Sequence, residues 1–206
     1  MRAVVLGAGP TGCATALAFA RRGHDVTLID RDETPSLDGA DAEQIFAAWD
    51  RPAIGQFRQP HNFLGLGRKV LRDDFPDVYA ALLQSGAHEV RQDAFLGDAP
   101  PAPGDEDLAT IACRRPVFDA ALRNAVAAEP NVEFRAGTVG GLIIEHSMHA
   151  SGIQLTSGER INGDLIVDAS GRNSGTARWL EQAGATPPPE DSFDCRLLYY
   201  SRHYRF

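Results

Sequence analysis

Apolar positions along this chain fall into short blocks that alternate between continuous runs and helical repeats. Arg2 to Leu6, R-A-V-V-L, is a run of the kind that forms a strand buried on both faces of a parallel sheet. Over Thr11 to Arg22 the residues Cys13, Ala14, Leu17 and Ala18 recur at helical spacing, and Gly23 supplies a stop. Asp25 to Ile29, D-V-T-L-I, reads as the next strand, which completes a βαβ unit of about 30 residues. The stretch from Arg31 to Gln59 is polar and turn-rich, with one helix predicted around Ala42 to Ala48. Two further helices are predicted over Asn62 to Arg72 and Pro76 to Ser85, and a surface loop over Ala99 to Gly104. A strand at Ala109 to Cys113 then leads into a helix from Pro116 to Ala128, where Pro116 suits the first helical turn.

The remaining pattern is β-rich at first. Val132 to Arg135 reads as a strand, followed by Thr138 to His146, Gly152 to Thr156 and Glu159 to Ile161 as a small antiparallel meander. Asp164 to Asp168 is another buried strand, Ala177 to Ala183 a short helix, and Pro187-Pro188-Pro189 a linker. Cys195 to Phe206 reads as one long strand. Its aromatic surface would be exposed on an isolated edge, so the strand is expected to pair with something. No internal repeat is visible.

Composition narrows the class. A chain of 206 residues with 43% apolar content can bury one large core. Its net charge of −8 disfavours a nucleic-acid partner, and no run approaches the ~20 apolar residues of a membrane span. Cys13, Cys113 and Cys195 lack metal-ligand spacing, so neither zinc nor a disulfide framework is indicated and a cytoplasmic setting is expected. Arg2, the apolar run and Ala18-Phe19-Ala20 imitate a secretory signal, but Gly7, Gly9, Pro10 and Gly12 would break its apolar helix.

Those same glycines are the clearest chemical signal. Gly7-Ala8-Gly9-Pro10-Thr11-Gly12 has the spacing G-x-G-x-x-G between a strand and a helix. Gly7 permits the tight turn, Gly9 lets backbone approach a pyrophosphate, and Gly12 allows close helix–strand packing. The helix start presents N–H groups and a positive dipole end to the phosphates. Asp30, at the end of the second strand, stands where an acid accepts hydrogen bonds from ribose hydroxyls. This constellation serves FAD and NAD alike.

Four stretches in order resemble the FAD-dependent monooxygenases of the aromatic-hydroxylase type and their relatives, the flavin-dependent halogenases and geranylgeranyl reductases. They are Gly7 to Gly12 with Asp30-Arg31; Arg51 to His61; Cys113 to Leu122; and Asp164 to Ser174 with Arg178-Trp179-Leu180. The resemblance implies that Asp30 binds the adenosine ribose and that Arg31 lies beside the adenine. It implies that Arg115, with Phe118 and Leu122 filling R-x-x-L-x-x-x-L, lies near the ribityl and phosphate groups, with Arg114 as a rival. Arg51 would approach the cofactor, and Gln59 and His61 would fall near the isoalloxazine, His61 as a candidate for proton transfer. Asp168 and Gly171 would contact the cofactor from D-A-S-G, a form closer to the halogenase and reductase branches than the hydroxylases' Asp-Gly pair.

The resemblance implies an α/β fold: an FAD-binding, Rossmann-like three-layer domain with a parallel central sheet and β-meander, over residues 1–186. Residues 187–206 would be a linker and the first strand of a substrate domain, so the chain resembles the N-terminal half of a flavoprotein. The implied chemistry is reduction of FAD by NAD(P)H, reaction with oxygen, and oxygenation of a small organic substrate. A separate C-terminal half or an oligomer would cover the final strand. Two alternatives stand beside this: a fragment that folds and binds FAD weakly, and an NAD(P)-dependent dehydrogenase using the same turn.

Overall fold

The computed structural model describes residues 1–35, 39–91, 97, 100, 102–145, 149–198, 200–202 and 204. In chain order the elements are β1 (Arg2–Leu6), α1 (Pro10–Ala20), β2 (Asp25–Asp30), α2 (Ala42–Ala48), β3 (Pro60–Phe63), α3 (Gly65–Asp74), α4 (Pro76–Gln84) and β4 (His88–Arg91). A short 3-10 turn at Asp105–Asp107 precedes β5 (Ala109–Arg114) and α5 (Arg115–Ala128). Then follow β6 (Val132–Ala136), β7 (Val139–Ile144), β8 (Ala150–Leu155), β9 (Arg160–Asn162), β10 (Leu165–Asp168) and α6 (Thr176–Gln182). The chain divides into two compact units, one of Met1–Glu33 with Arg123–Tyr200, the other of Thr34–Leu122 with Ser201–Phe206.

The first unit is built on a parallel sheet in the order β10-β1-β2-β6. Ala3, Val4, Val5 and Leu6 are all buried, as a central strand covered on both faces requires. α1 carries small residues, and Gly12, Cys13, Ala16, Leu17 and Ala20 are its buried positions. The antiparallel meander β7-β8-β9 places Ile153 and Leu155 in one cluster with Val4, Leu6 and Ile29. Complete burial of a side chain such as Ile153 stabilises by about 1.5–3 kcal/mol.

The second unit holds an antiparallel sheet in the order β3-β5-β4 together with α2, α3 and α4. Asp41 caps α2 in a reciprocal capping box with Gln44, and α2 delivers Ile45 to a core shared with Trp49, Phe57 and Ala120. Trp49 and Phe57 meet edge to face at 5.3 Å.

The βαβ unit, the meander and the parallel sheet stand where the pattern puts them, but three expectations are corrected. The helix expected from Asn62 begins at Gly65, because Pro60–Phe63 pairs antiparallel with β5 and Phe63 stacks on Phe118 at 3.6 Å. His88–Arg91 is an unexpected strand: its polar sequence hides a partner on the other side of β5. The long strand expected over Cys195 to Phe206 is absent from its described residues, which have no ladder partner and leave Leu197, Leu198, Tyr200 and Tyr204 exposed. Parts of the Ala99 to Gly104 loop (residues 99 and 101) and of the Thr138 to His146 strand (residue 146) lie outside the described residues.

Candidate functional site

The glycine turn joins β1 to α1 in the first unit. Gly7 adopts φ +92°, and a Cβ there would lie 2.7 Å from the Ala169 carbonyl oxygen, so both conformation and space require glycine. Gly9 is the extended N-cap residue and Pro10 opens the helix. The first helical bond runs from Cys13 N–H to the Gly9 carbonyl at 2.9 Å, which leaves the N–H groups of Thr11 and Gly12 ahead of it. No acidic residue occupies the first turn of α1. A Cβ on Gly12 would fall 1.7 Å from the Gly7 carbonyl oxygen, so backbone meets backbone without an intervening side chain. An anionic group at this turn would find N–H donors, the positive end of the helix and no competing carboxylate.

Asp30 ends β2 and is buried. Its Oδ2 accepts from the Ala8 N–H at 2.6 Å and its Oδ1 from the Asp32 N–H at 2.9 Å. The acid is thereby held beside the turn, within the range of charge-assisted hydrogen bonds. Arg31 points to the exposed surface. Sequence reasoning missed Arg123, which is only 4% exposed and sets Nη2 3.2 Å from Asp30 Oδ2. A signal was available: the charged residues of α5, Arg115, Asp119 and Arg123, recur every four residues along one stripe of the helix.

The D-A-S-G segment follows β10. Asp168 accepts from the Ser170 N–H at 2.9 Å, the Ser170 hydroxyl at 2.5 Å, the Thr176 hydroxyl at 2.6 Å and the Ser174 hydroxyl. Burial pushes its carboxyl up, yet the hydrogen bonds from Ser170, Ser174 and Thr176 together outweigh that and hold it below its ordinary value. Gly171 takes φ +84° within this loop. Asp168 is thus engaged by its own loop, which Ala169 and Ser170 bring against Gly7.

Arg51, His61 and Arg115 belong to the second unit. Arg51 and Arg115 converge on one buried carboxylate, Asp119, with Nη1 of Arg51 3.3 Å from Oδ2 and Nε of Arg115 2.5 Å from Oδ1. The rival Arg114 instead pairs with Glu43 at 2.6 Å and lies over the Phe46 ring. His61 is half-buried, with its Nδ1 3.0 Å from the Gln59 carbonyl oxygen. Opposite it on β5, the Cys113 thiol is pushed up to about 12 by burial and by Asp119, against a lowering influence from Arg115.

Two open clefts of about 520 and 1000 Å³ lie where Arg2 and Asp25 begin β1 and β2, the end of the sheet opposite the glycine turn. Both are lined by residues of mixed charge, Arg2 with Asp25 among them, so size alone does not make them the site. Among the described residues no cluster of His, Cys, Asp and Glu suits a metal ion, and no helix is long and apolar enough to cross a membrane.

The DAO family, FAD dependent oxidoreductase, matches residues 2–160. Protein Rv3254 of Mycobacterium tuberculosis (strain ATCC 25618 / H37Rv) is 28% identical over 223 residues, covering 98% of this chain and 44% of its own length. Among solved structures, PqsL, a probable FAD-dependent monooxygenase from Pseudomonas aeruginosa, superposes with a TM-score of 0.65 at 14% identity, over 88% of this chain and 45% of PqsL. The p-nitrophenol 4-monooxygenase PnpA from Pseudomonas putida DLL-E4 gives 0.61 at 12% identity, over 86% of this chain and 42% of PnpA. The two structures share the fold, and the chain spans less than half the length of each of these three proteins.

Proposed function

Because the chain belongs to the FAD-dependent oxidoreductase family, we propose that it is the FAD-binding part of a flavin-dependent monooxygenase acting on a small organic substrate. The observation that carries this reading is the pairing of the glycine turn with Asp30, whose carboxylate takes the Ala8 N–H at 2.6 Å. Gly7, Gly9, Pro10, Thr11 and Gly12 receive the pyrophosphate, Asp30 the adenosine ribose, and Arg31 flanks the adenine. The loop carrying Asp168 and Gly171 supports the turn from the side of β10. In the second unit Arg51 and Arg115 supply positive charge for the flavin's phosphate and ribityl groups, and His61 is the candidate for moving a proton.

Bound FAD would supply the redox and oxygen chemistry, with NAD(P)H as electron donor; this chain supplies binding, orientation and electrostatics. Cys13, Cys113 and Cys195 are joined by no disulfide, which supports a cytoplasmic setting. Phe193, Leu197, Leu198 and Tyr200 expose apolar surface, which supports a covering partner, either a C-terminal half or a second subunit.

The test is to incubate the purified chain with FAD or with NADH, desalt it, and record its ultraviolet–visible spectrum. Retained flavin absorbance supports the proposal. Retention of NADH without flavin would favour a nicotinamide-dependent dehydrogenase and sink it.

A further inference from the structure

We propose that Arg123 is the positioning residue that makes the nucleotide end of the site selective for ribose hydroxyls. This rests on the reading of Asp30 as ribose acceptor given above. The guanidinium gathers three separate segments. Its Nε donates to the Ala8 carbonyl at 3.0 Å, its Nη1 to the Asp32 carbonyl at 3.2 Å, and its Nη2 faces Asp30 Oδ2 at 3.2 Å. Its Cζ also lies 5.1 Å from the centre of the Phe134 ring, so one face of the cation rests on an aromatic plane of β6.

These contacts close a ring. The Ala8 N–H binds Asp30, the Ala8 carbonyl binds Arg123, and Arg123 pairs with Asp30. Ala8 lies between Gly7 and Gly9, so the acceptor for the ribose and the cradle for the phosphates cannot shift independently. A pyrophosphate seated on the turn therefore finds the Asp30 carboxylate at a fixed distance, which is what recognition of a sugar one linkage away requires. A planar fork with donors in several directions can serve two carbonyls and a carboxylate at once; a lysine ammonium on the same helix is a point charge without that geometry. Arg31, adjacent to Asp30 in sequence but exposed, is not placed to do this.

Arg123 buried against carbonyls could also serve folding alone, and the test separates the two roles. ADP and 2′,3′-dideoxy-ADP are titrated calorimetrically into the full chain, with FAD in parallel. The wild-type chain is expected to prefer ADP by about tenfold to a hundredfold, the range for hydrogen bonds to a charged acceptor. R123M is expected to bring that ratio to within about threefold of unity, and R123K to leave it between the two. D30N is expected to collapse the ratio as well, and R123M/D30N to lower it no further, because Arg123 acts through Asp30. Circular dichroism checks folding, and if R123M does not fold, R123K alone decides. A wild-type ratio in R123K, or R123M weakening both nucleotides equally at an unchanged ratio, overturns the proposal. A wild-type ratio near one overturns the ribose reading of Asp30 and this inference with it; failure to bind FAD with the ADP preference intact overturns only the assignment of the cofactor.

Discussion

Gly12→Ala tests the glycine turn at its tightest point. Gly12 lies within α1 with ordinary helical backbone, so alanine brings no conformational penalty of its own and even a better helix propensity. The effect must therefore come from space. The new Cβ would meet the Gly7 carbonyl oxygen at 1.7 Å, and the two must separate to at least 3.0 Å before any real contact is reached. The Cβ is fixed rigidly to the α1 backbone and the oxygen is itself backbone, so no flexible side chain can yield instead. Overpacking of this kind costs about 1–3 kcal/mol. For a chain of this size that corresponds to a fall of about 2–12 °C in thermal midpoint. A displacement of more than about 1 Å also carries the Thr11 and Gly12 N–H groups out of hydrogen-bond range of a seated phosphate, so FAD affinity should fall at least about tenfold. The control is Gly141→Ala on β7, where a Cβ meets nothing within 4 Å and the midpoint should stay within the noise of an exposed substitution. Scanning calorimetry and flavin-fluorescence titration read both quantities. If Gly12→Ala matched Gly141→Ala in stability and bound FAD as the wild type does, the close-approach argument would be refuted.

Other outcomes follow from the same contacts. Asp119→Ala leaves the buried guanidinium groups of Arg51 and Arg115 without their shared carboxylate and should cost about 3–5 kcal/mol, read by urea unfolding; a loss below about 1 kcal/mol would show that the pair does not depend on it. Alkylation at pH 8 should label exposed Cys195 quickly and leave Cys13 and Cys113 unlabelled until denaturant is added, because Cys13 is buried and the Cys113 thiol is pushed up to about 12. Asp168 is held below its ordinary value in the fold, so its contribution is complete above about pH 3.9 and is lost as pH falls below that; D168N should flatten this acid limb of the stability profile, and an unchanged limb would count against it.

Much of the first unit was legible because its signals are local. The run Arg2 to Leu6, the glycine spacing and Asp30 at the end of the next strand each follow from chain geometry over a few residues. The second unit was harder to read. Pro60–Phe63 and His88–Arg91 become strands only because β5 lies between them, and neither polar stretch advertises a partner far along the chain. The partners of the candidate charges were hidden for the same reason. Nothing local says that Arg51 shares Asp119 with Arg115, or that Arg123 meets Ala8 across 115 residues of sequence. The final segment erred in the opposite sense, since an apolar, aromatic sequence suits a strand but forms one only when a ladder partner is available.

The central claim, that the turn from Gly7 to Gly12 and the acid Asp30 hold the adenosine diphosphate end of FAD, is tested most directly by an amide NMR titration of the isotopically labelled chain with FAD. The account predicts that the largest shifts fall on Ala8, Gly9, Thr11, Gly12 and Asp32, and that ADP reproduces them. Shifts confined to the clefts at Arg2 and Asp25, or none at the turn when FAD is saturating, would contradict it.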